Sequence, residues 1–175
     1  MSIKTIFLDR DGVINKEINY LHNIDDFIFN EGVFDSCLHF QKLGYQLIIV
    51  TNQSGIARGY YNNKDYQILT RWTSNKFTEK GINILDIFHC PHGPQSTCRC
   101  RKPKPGMIID AKNKYNINMK LSWMIGDNEI DIKAANRAEI KNTILIRSNK
   151  LIDAKKSNAK FFIDSIEQSK KIIIQ

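Results

Sequence analysis

Short aliphatic runs with little alternation recur along the 175-residue chain, separated by stretches whose apolar residues fall at three- and four-residue spacing. Unalternating runs of this length mark strands covered on both faces, as in a parallel sheet. Ile3 to Leu8, ending in Ile6-Phe7-Leu8, reads as the first. Gln46 to Val50, Ile84 to His89, Ser122 to Ile125, Thr143 to Ile146 and Lys160 to Ile163 read as its successors. The stretches between them predict helices. Glu31 to Leu43 puts Val33, Phe34, Cys37, Leu38 and Phe40 at helical spacing and is followed by Gly44, suited to the left-handed position past a helix end. Cys37 there reads as a small core residue, and His39 as a boundary one. Lys64 to Lys80, capped by Asn62 or Asn63 and ended by Gly81, carries Tyr66, Leu69, Trp72 and Phe77. Pro105 opens a helix with Met107, Ile108, Ala111 and Tyr115, a short one runs through Ala134, Ala135 and Ala138, and a last one starts near Asp164. Alternating strands and helices predict an α/β fold: three layers, α/β/α, around a mainly parallel Rossmann-like sheet.

Length and charge narrow this further. Residues 1–175 suit a single domain. No apolar run approaches the roughly 20 residues of a membrane helix, and no secretory signal pattern opens the chain. The expectation is a cytoplasmic monomer with no membrane partner. The net charge of +8 comes largely from lysines scattered along helix faces, which suits the steering of small anions better than nucleic acid.

Chemistry collects where strands end. Asp9-Arg10-Asp11-Gly12-Val13 follows the first strand and delivers two carboxylates at i and i+2 to the crevice where open α/β sheets bind ligands. A hard cation such as Mg²⁺ takes one or two carboxylates and leaves room for a substrate phosphate. One acid could then attack phosphorus while the other handles a proton. The same pentapeptide equally suits a plain turn. Thr51-Asn52-Gln53-Ser54-Gly55 supplies hydroxyl and amide donors followed by glycine, a phosphate-binding loop or a polar turn. Gly126-Asp127-Asn128-Glu129-Ile130-Asp131 adds acids that would complete an oxygen-rich cation site, or cap a helix.

Cys90, His92, Cys98 and Cys100 lie within eleven residues and make a Cys₃His set, the donor set of a closed structural zinc site. A disulfide fits less well, because Cys98 and Cys100 are too close in sequence to bridge without strain. Arg101-Lys102 follows directly and would be held in fixed directions by such a loop, or form a solvated basic run.

In chain order, Asp9-x-Asp11-Gly12, Thr51-Asn52, Lys102-Pro103 and Gly126-Asp127 with Asp131 resemble the four motifs of the haloacid dehalogenase (HAD) superfamily of phosphohydrolases. Longer stretches, Asn19 to Phe27, Thr51 to Gly59 and Cys100 to Met107, resemble the D-glycero-D-manno-heptose-1,7-bisphosphate 7-phosphatase family. The resemblance runs from about Ile3 to Ile146 and implies a HAD-like sheet with a minimal cap and a zinc-stabilised loop. It implies removal of the C7 phosphate of the heptose bisphosphate, a step toward nucleotide-activated heptose and lipopolysaccharide. By the same resemblance Asp9 is the nucleophile, forming an aspartyl-phosphate, and Asp11 the general acid and base. Mg²⁺ is held by Asp9, the Asp11 backbone carbonyl and Asp127, with Asp131 in support. Thr51, Asn52 and Lys102 surround the phosphoryl oxygens, Gln53, Ser54 and Asn128 contact substrate, and Tyr20, Arg58 and Arg101 are candidates for a second phosphate.

The histidinol-phosphatase family shares the Asp-x-Asp-Gly motif and a similar zinc loop. Ser54 to Gly59 and Pro105-Gly106-Met107 side with the heptose branch. Two residues depart from that branch: Asn128 stands where a basic residue is frequent, and Val13 where Thr is usual. A zinc-stabilised basic module for nucleic acid is the reading from a different class. It accounts for the charge and the cysteines and leaves three acids at strand ends without a role.

Overall fold

Ile6, Phe7 and Leu8 are wholly buried because their strand lies inside the sheet, with a parallel neighbour on each side. The computed structural model describes residues 2–147 and 157–174. Among these, six strands form one sheet: β1 (Thr5–Leu8), β2 (Gln46–Asn52), β3 (Ile84–Cys90), β4 (Trp123–Gly126), β5 (Asn142–Ile146) and β6 (Phe161–Ile163). Every pairing is parallel, in the order β3-β2-β1-β4-β5-β6. The period of two along each strand sorts side chains onto two faces. Ile6, Leu8, Leu47 and Ile49 pack with Val33, Cys37 and Phe40 of α1 (Val33–Lys42) and Leu69 and Phe77 of α2 (Asn63–Glu79). Phe7, Ile48 and Val50 pack instead with α3 (Gly106–Tyr115) and α4 (Glu129–Arg137). The three-layer parallel architecture expected from the alternation is the one observed.

That topology places the site. The chain builds outward from β1 through β2 to β3, then crosses back to lay β4 on the other side of β1. The carboxyl ends of β1 and β4 therefore flank the point where the order reverses, where a crevice opens in sheets of this kind.

Element ends differ from the pattern in several places. Ile3 makes only an isolated bridge to Ile117, outside β1. α1 begins after Gly32, which caps it in a left-handed conformation (φ 75°), so Glu31 lies outside the helix. A reciprocal pair between Asn62 and Asp65 selects Asn62 as the cap of α2. Pro105 stands as the cap of α3 rather than its first residue. The last helix is a 3₁₀ helix, Ile166–Lys171, not an α-helix. Ile166 and Ser169 are its buried residues, and that spacing of three suits three residues per turn. A 3₁₀ turn, Met119–Leu121, was not signalled by periodicity; the Asn118 side chain caps it. Cys37 is fully buried, and burial pushes its thiol up to about 12, as for a core residue. No helix among the described residues is long and apolar enough to cross a membrane.

Since Phe7 is wholly buried against both neighbouring strands, Phe7→Ala is expected to destabilise the fold by about 3–5 kcal/mol and Ile48→Val by about 0.5–1.5 kcal/mol. Urea denaturation checks this order; equal losses would place the core elsewhere.

Candidate active site

The turn after β1 presents acids and folds back on itself in the same few residues. The Asp9 amide bonds the Ile125 carbonyl at 3.0 Å, fastening the end of β1 to β4. The Arg10 carbonyl accepts from the amides of Val13, Ile14 and Asn15 at 3.3, 2.8 and 3.2 Å. The Asn30 side chain donates to the carbonyls of Gly12, Val13 and Asn15 at 3.2, 3.0 and 3.1 Å. Turn and acid pair are thus one structure, not alternatives. Gly12 is needed twice over: its φ is 87°, and a Cβ there would lie 2.3 Å from Asp127 Oδ2. Val13 is buried in the core.

Lys102 reaches the same place from the loop before α3. Its amide donates to Asn52 Oδ1 and its carbonyl accepts from Asn52 Nδ2, both at 3.1 Å, so the end of β2 clasps it. Its ammonium donates to Asp9 Oδ1 and the Val50 carbonyl, both at 2.8 Å, and pairs with Asp131 Oδ1 at 2.6 Å. Asp127 follows β4 directly. Asn128 caps α4, with its amide on Asp131 Oδ2 at 3.1 Å and its Oδ1 accepting from Ile130. Asp131 thereby serves the helix and the lysine at once.

Asp9, Asp127 and Asp131 are all buried, with one oxygen of each within 4.8 Å of the others. Like charges 4 Å apart repel by roughly 4 kcal/mol even at an effective dielectric of about 20. Burial, then the charges of Asp131, Asp127 and Asp11, push the Asp9 carboxyl well above the usual carboxylate range, while Lys102 pulls against them. Burial alone would depress the Lys102 ammonium; Asp131 and Asp9 outweigh it and hold it charged. One ammonium balances one of three acids. Two negative charges on hard oxygen donors are what a divalent cation such as Mg²⁺ neutralises, so the residues fit that ion.

The second cluster joins Cys90, at the end of β3, to His92, Cys98 and Cys100. Cys90 Sγ lies 3.8 Å from Cys98 Sγ and 3.3 Å from Cys100 Sγ, and His92 Nδ1 is 3.5 and 3.3 Å from Cys90 and Cys100. A tetrahedron with bonds of roughly 2.3 Å has edges of roughly 3.8 Å, so these donors fit zinc.

A cavity of about 170 Å³ is lined by Asp9, Asp11, Thr51, Lys102 and Asp127, and also by Tyr20, Asn52, Gln53, Ser54 and Asn128. Tyr20 stands at its wall with a left-handed backbone (φ 58°), edge-on to Tyr60 at 4.6 Å and beneath Arg58 at 5.8 Å. Neither Arg58 nor Arg101 lines the cavity; Arg101 Nη1 bonds the His92 carbonyl at 3.2 Å. A larger cleft of about 750 Å³ on the other side of Gly12 and Val13 holds none of the three clustered acids.

Three residues here went unread in the sequence. Arg10 is buried, and its Nε and Nη2 bond Asp11 Oδ1 at 3.2 and 3.1 Å. Asn15 Nδ2 bonds the same oxygen at 3.0 Å. The Tyr61 hydroxyl donates to Gln53 Oε1 at 2.5 Å, and burial pushes that phenol up to about 12. An arginine between two acids was a signal for the first; nothing local distinguished Asn15 or Tyr61.

An acid pair at the switch point of a parallel sheet, backed by a lysine and further acids from the next strand, defines the HAD-like class of hydrolases. A HAD-hydrolase-like family model matches residues 99–169. The chain is 52% identical over 153 residues to the D-glycero-alpha-D-manno-heptose-1,7-bisphosphate 7-phosphatase of Photorhabdus laumondii subsp. laumondii, covering 83% of this chain and 84% of that one. It is 44% identical over 149 residues to the D-glycero-beta-D-manno-heptose-1,7-bisphosphate 7-phosphatase of Helicobacter pylori, covering 85% and 86%. The crystal structure of D,D-heptose 1,7-bisphosphate phosphatase from B. bronchiseptica, complexed with magnesium and phosphate, superposes with a TM-score of 0.85 at 25% identity, covering 99% of each chain. The chain belongs to the D-glycero-D-manno-heptose-1,7-bisphosphate 7-phosphatase family, as its motifs led one to expect.

Gly12→Ala is expected to lower turnover by about 10²-fold, because the added methyl displaces Asp127. Gly81, with φ 75° and nothing near its missing Cβ, supplies the control. Gly81→Ala carries only backbone strain of about 1–2 kcal/mol and keeps its activity. Phosphate release beside thermal melts separates the two; equal turnover would remove Gly12 from the site.

Proposed function

We propose that the chain is a magnesium-dependent phosphatase that removes the C7 phosphate of D-glycero-D-manno-heptose 1,7-bisphosphate through an aspartyl-phosphate. The observation that carries this reading is the meeting of Asp9, Asp11, Lys102 and Asp127 in one cavity. Asp9 attacks phosphorus, as carboxylate nucleophiles do. Asp11 protonates the departing sugar oxygen and then takes a proton from the water that cleaves the acyl phosphate. Lys102 offsets charge on the equatorial oxygens, with Thr51 and Asn52 as further donors. A magnesium ion held by the Asp9 and Asp127 carboxylates and the Asp11 carbonyl supplies Lewis-acid stabilisation of those oxygens. Arg58, laid over Tyr20, and Arg101, tied to the zinc loop, are the cations for the anomeric phosphate. The alpha anomer is the favoured substrate: the relative at 52% identity is named for it, and relatives at 40–44% for the beta form. Zinc in the Cys90, His92, Cys98 and Cys100 site takes four protein ligands and keeps none open, so its role is structural.

Initial rates of phosphate release over both anomers and histidinol phosphate test this. The expected order is alpha, beta, then histidinol phosphate, with Asp9→Asn lowering kcat by roughly 10³-fold or more. Phosphate release unchanged in Asp9→Asn would sink the assignment. Removing Mg²⁺ is expected to stop turnover reversibly, and removing Zn²⁺ to lower Tm. Zinc alone restoring turnover to metal-free protein would overturn that division.

A further inference from the structure

Gln53 leaves the end of β2 beside Thr51 and Asn52, and each polar atom of its side chain is engaged within the protein. Nε2 donates to Asp11 Oδ2 at 3.1 Å and to Thr51 Oγ1 at 2.8 Å. Oε1 accepts from the Tyr61 hydroxyl at 2.5 Å and from Arg10 Nη2 at 3.3 Å. A guanidinium only donates, so Arg10 at Oε1 fixes which way the amide faces and turns its NH₂ toward Asp11. A flipped amide would set oxygen against carboxylate and NH₂ against guanidinium. Tyr61 is buried behind this amide, stacked with His22 at 5.1 Å. Gly55 makes the room: a Cβ there would lie 2.1 Å from Tyr61 Cε1.

Asp11 is held on both oxygens. Oδ1 takes Arg10 and Asn15, and Oδ2 takes Gln53 and lies 3.1 Å from Arg10 Nη2. Its side chain keeps 24% exposure while Arg10 keeps 5%, so the carboxyl stands in front of its holders. A proton donor must sit within hydrogen-bond reach of the departing oxygen, and small displacements of it are costly.

We propose that Gln53, oriented by Tyr61 and Arg10, is a positioning residue that holds the Asp11 carboxyl where it can protonate the departing oxygen, and that Tyr61 acts through Gln53. In this role both side chains act through Asp11 rather than on the reacting atoms. The proposal rests on the acid/base reading of Asp11 and adds the residues that aim it.

Protonation matters in proportion to the basicity of the leaving group. A sugar alkoxide needs the proton; p-nitrophenolate leaves without it. First-turnover release of the leaving group is therefore compared for the heptose bisphosphate and p-nitrophenyl phosphate in the holoenzyme, in Tyr61→Phe and in Gln53→Met. The expected loss in rate is about 10- to 100-fold on the sugar phosphate and several-fold smaller on the aryl phosphate, with KM changed by no more than about twofold. In an Asp11→Asn background the same substitutions should cost nothing more, since they act through the missing acid. Equal losses on both substrates, or a further loss on top of Asp11→Asn, would overturn the proposal. Should Gln53→Met not fold, Tyr61→Phe, which keeps the ring, carries the test alone in both backgrounds. Wild-type protein that releases phosphate from neither substrate would instead refute the proposed function.

Discussion

Three carboxylates are buried within reach of one another, two of them paired with one ammonium, and much of the molecule serves to keep them there. Asp9 is delivered by β1, Asp127 and Asp131 by the passage from β4 into α4, and Lys102 by the loop leading into α3. Lys102 attracts Asp9 and Asp131, but the mutual repulsion of three acids opposes the gathering. It is enforced by hydrogen bonds that have other partners to satisfy: the Asp9 amide on Ile125, the Asn52 clasp on Lys102, the Asp131 cap on α4. Removing one member of a buried ion pair leaves the rest uncompensated at about 3–5 kcal/mol. The parallel sheet holds such an arrangement in place, and its excess negative charge suits a divalent cation.

The two candidate metal clusters are joined through the edge of that sheet. Asn52 and Cys90 are register partners in β2 and β3, the Gln53 amide bonds the Cys90 carbonyl at 2.8 Å, and the Ala57 amide bonds the Pro91 carbonyl at 3.2 Å. The cysteine loop therefore leans on the loop that walls the cavity, and leads through Arg101 straight to Lys102. A structural ion at the cysteines would hold the register of the lysine against the acids without entering the chemistry.

How the acids are aimed is a separate matter from how they are gathered. Asp9 is set by backbone and lysine, whereas Asp11 is set by a side-chain network of Arg10, Asn15, Gln53 and Tyr61. The two carboxyls stand two residues apart in sequence and inhabit different surroundings: one buried among charges, the other at the front of a donor array. On the proposed mechanism, that difference in environment suits the two acids to different roles.

Much of this was legible in the chain itself. Unalternating aliphatic runs and helical spacing determined the alternation of strand and helix, hence a parallel sheet, because both are periodicities of local backbone geometry. The acids at strand ends, the Cys₃His cluster and Lys102 were likewise visible, because each is a chemical type concentrated at a short spacing. Periodicity misplaced a helix start that backbone conformation decides, at the left-handed Gly32, and misread the last helix, whose buried residues stand three apart. The company of Thr51, Lys102 and Asp127 already favoured an acid pair over a plain turn at Asp9 to Gly12, and Asn30 makes the two one structure. That Gln53 also faces Asp11 was not legible, because its partners come from positions 10, 11, 51 and 61, and no local spacing records the hydrogen bonds between them. Residue types and their order were decided by the sequence; which polar atom meets which was decided by the sheet that brings β1, β2 and β4 side by side.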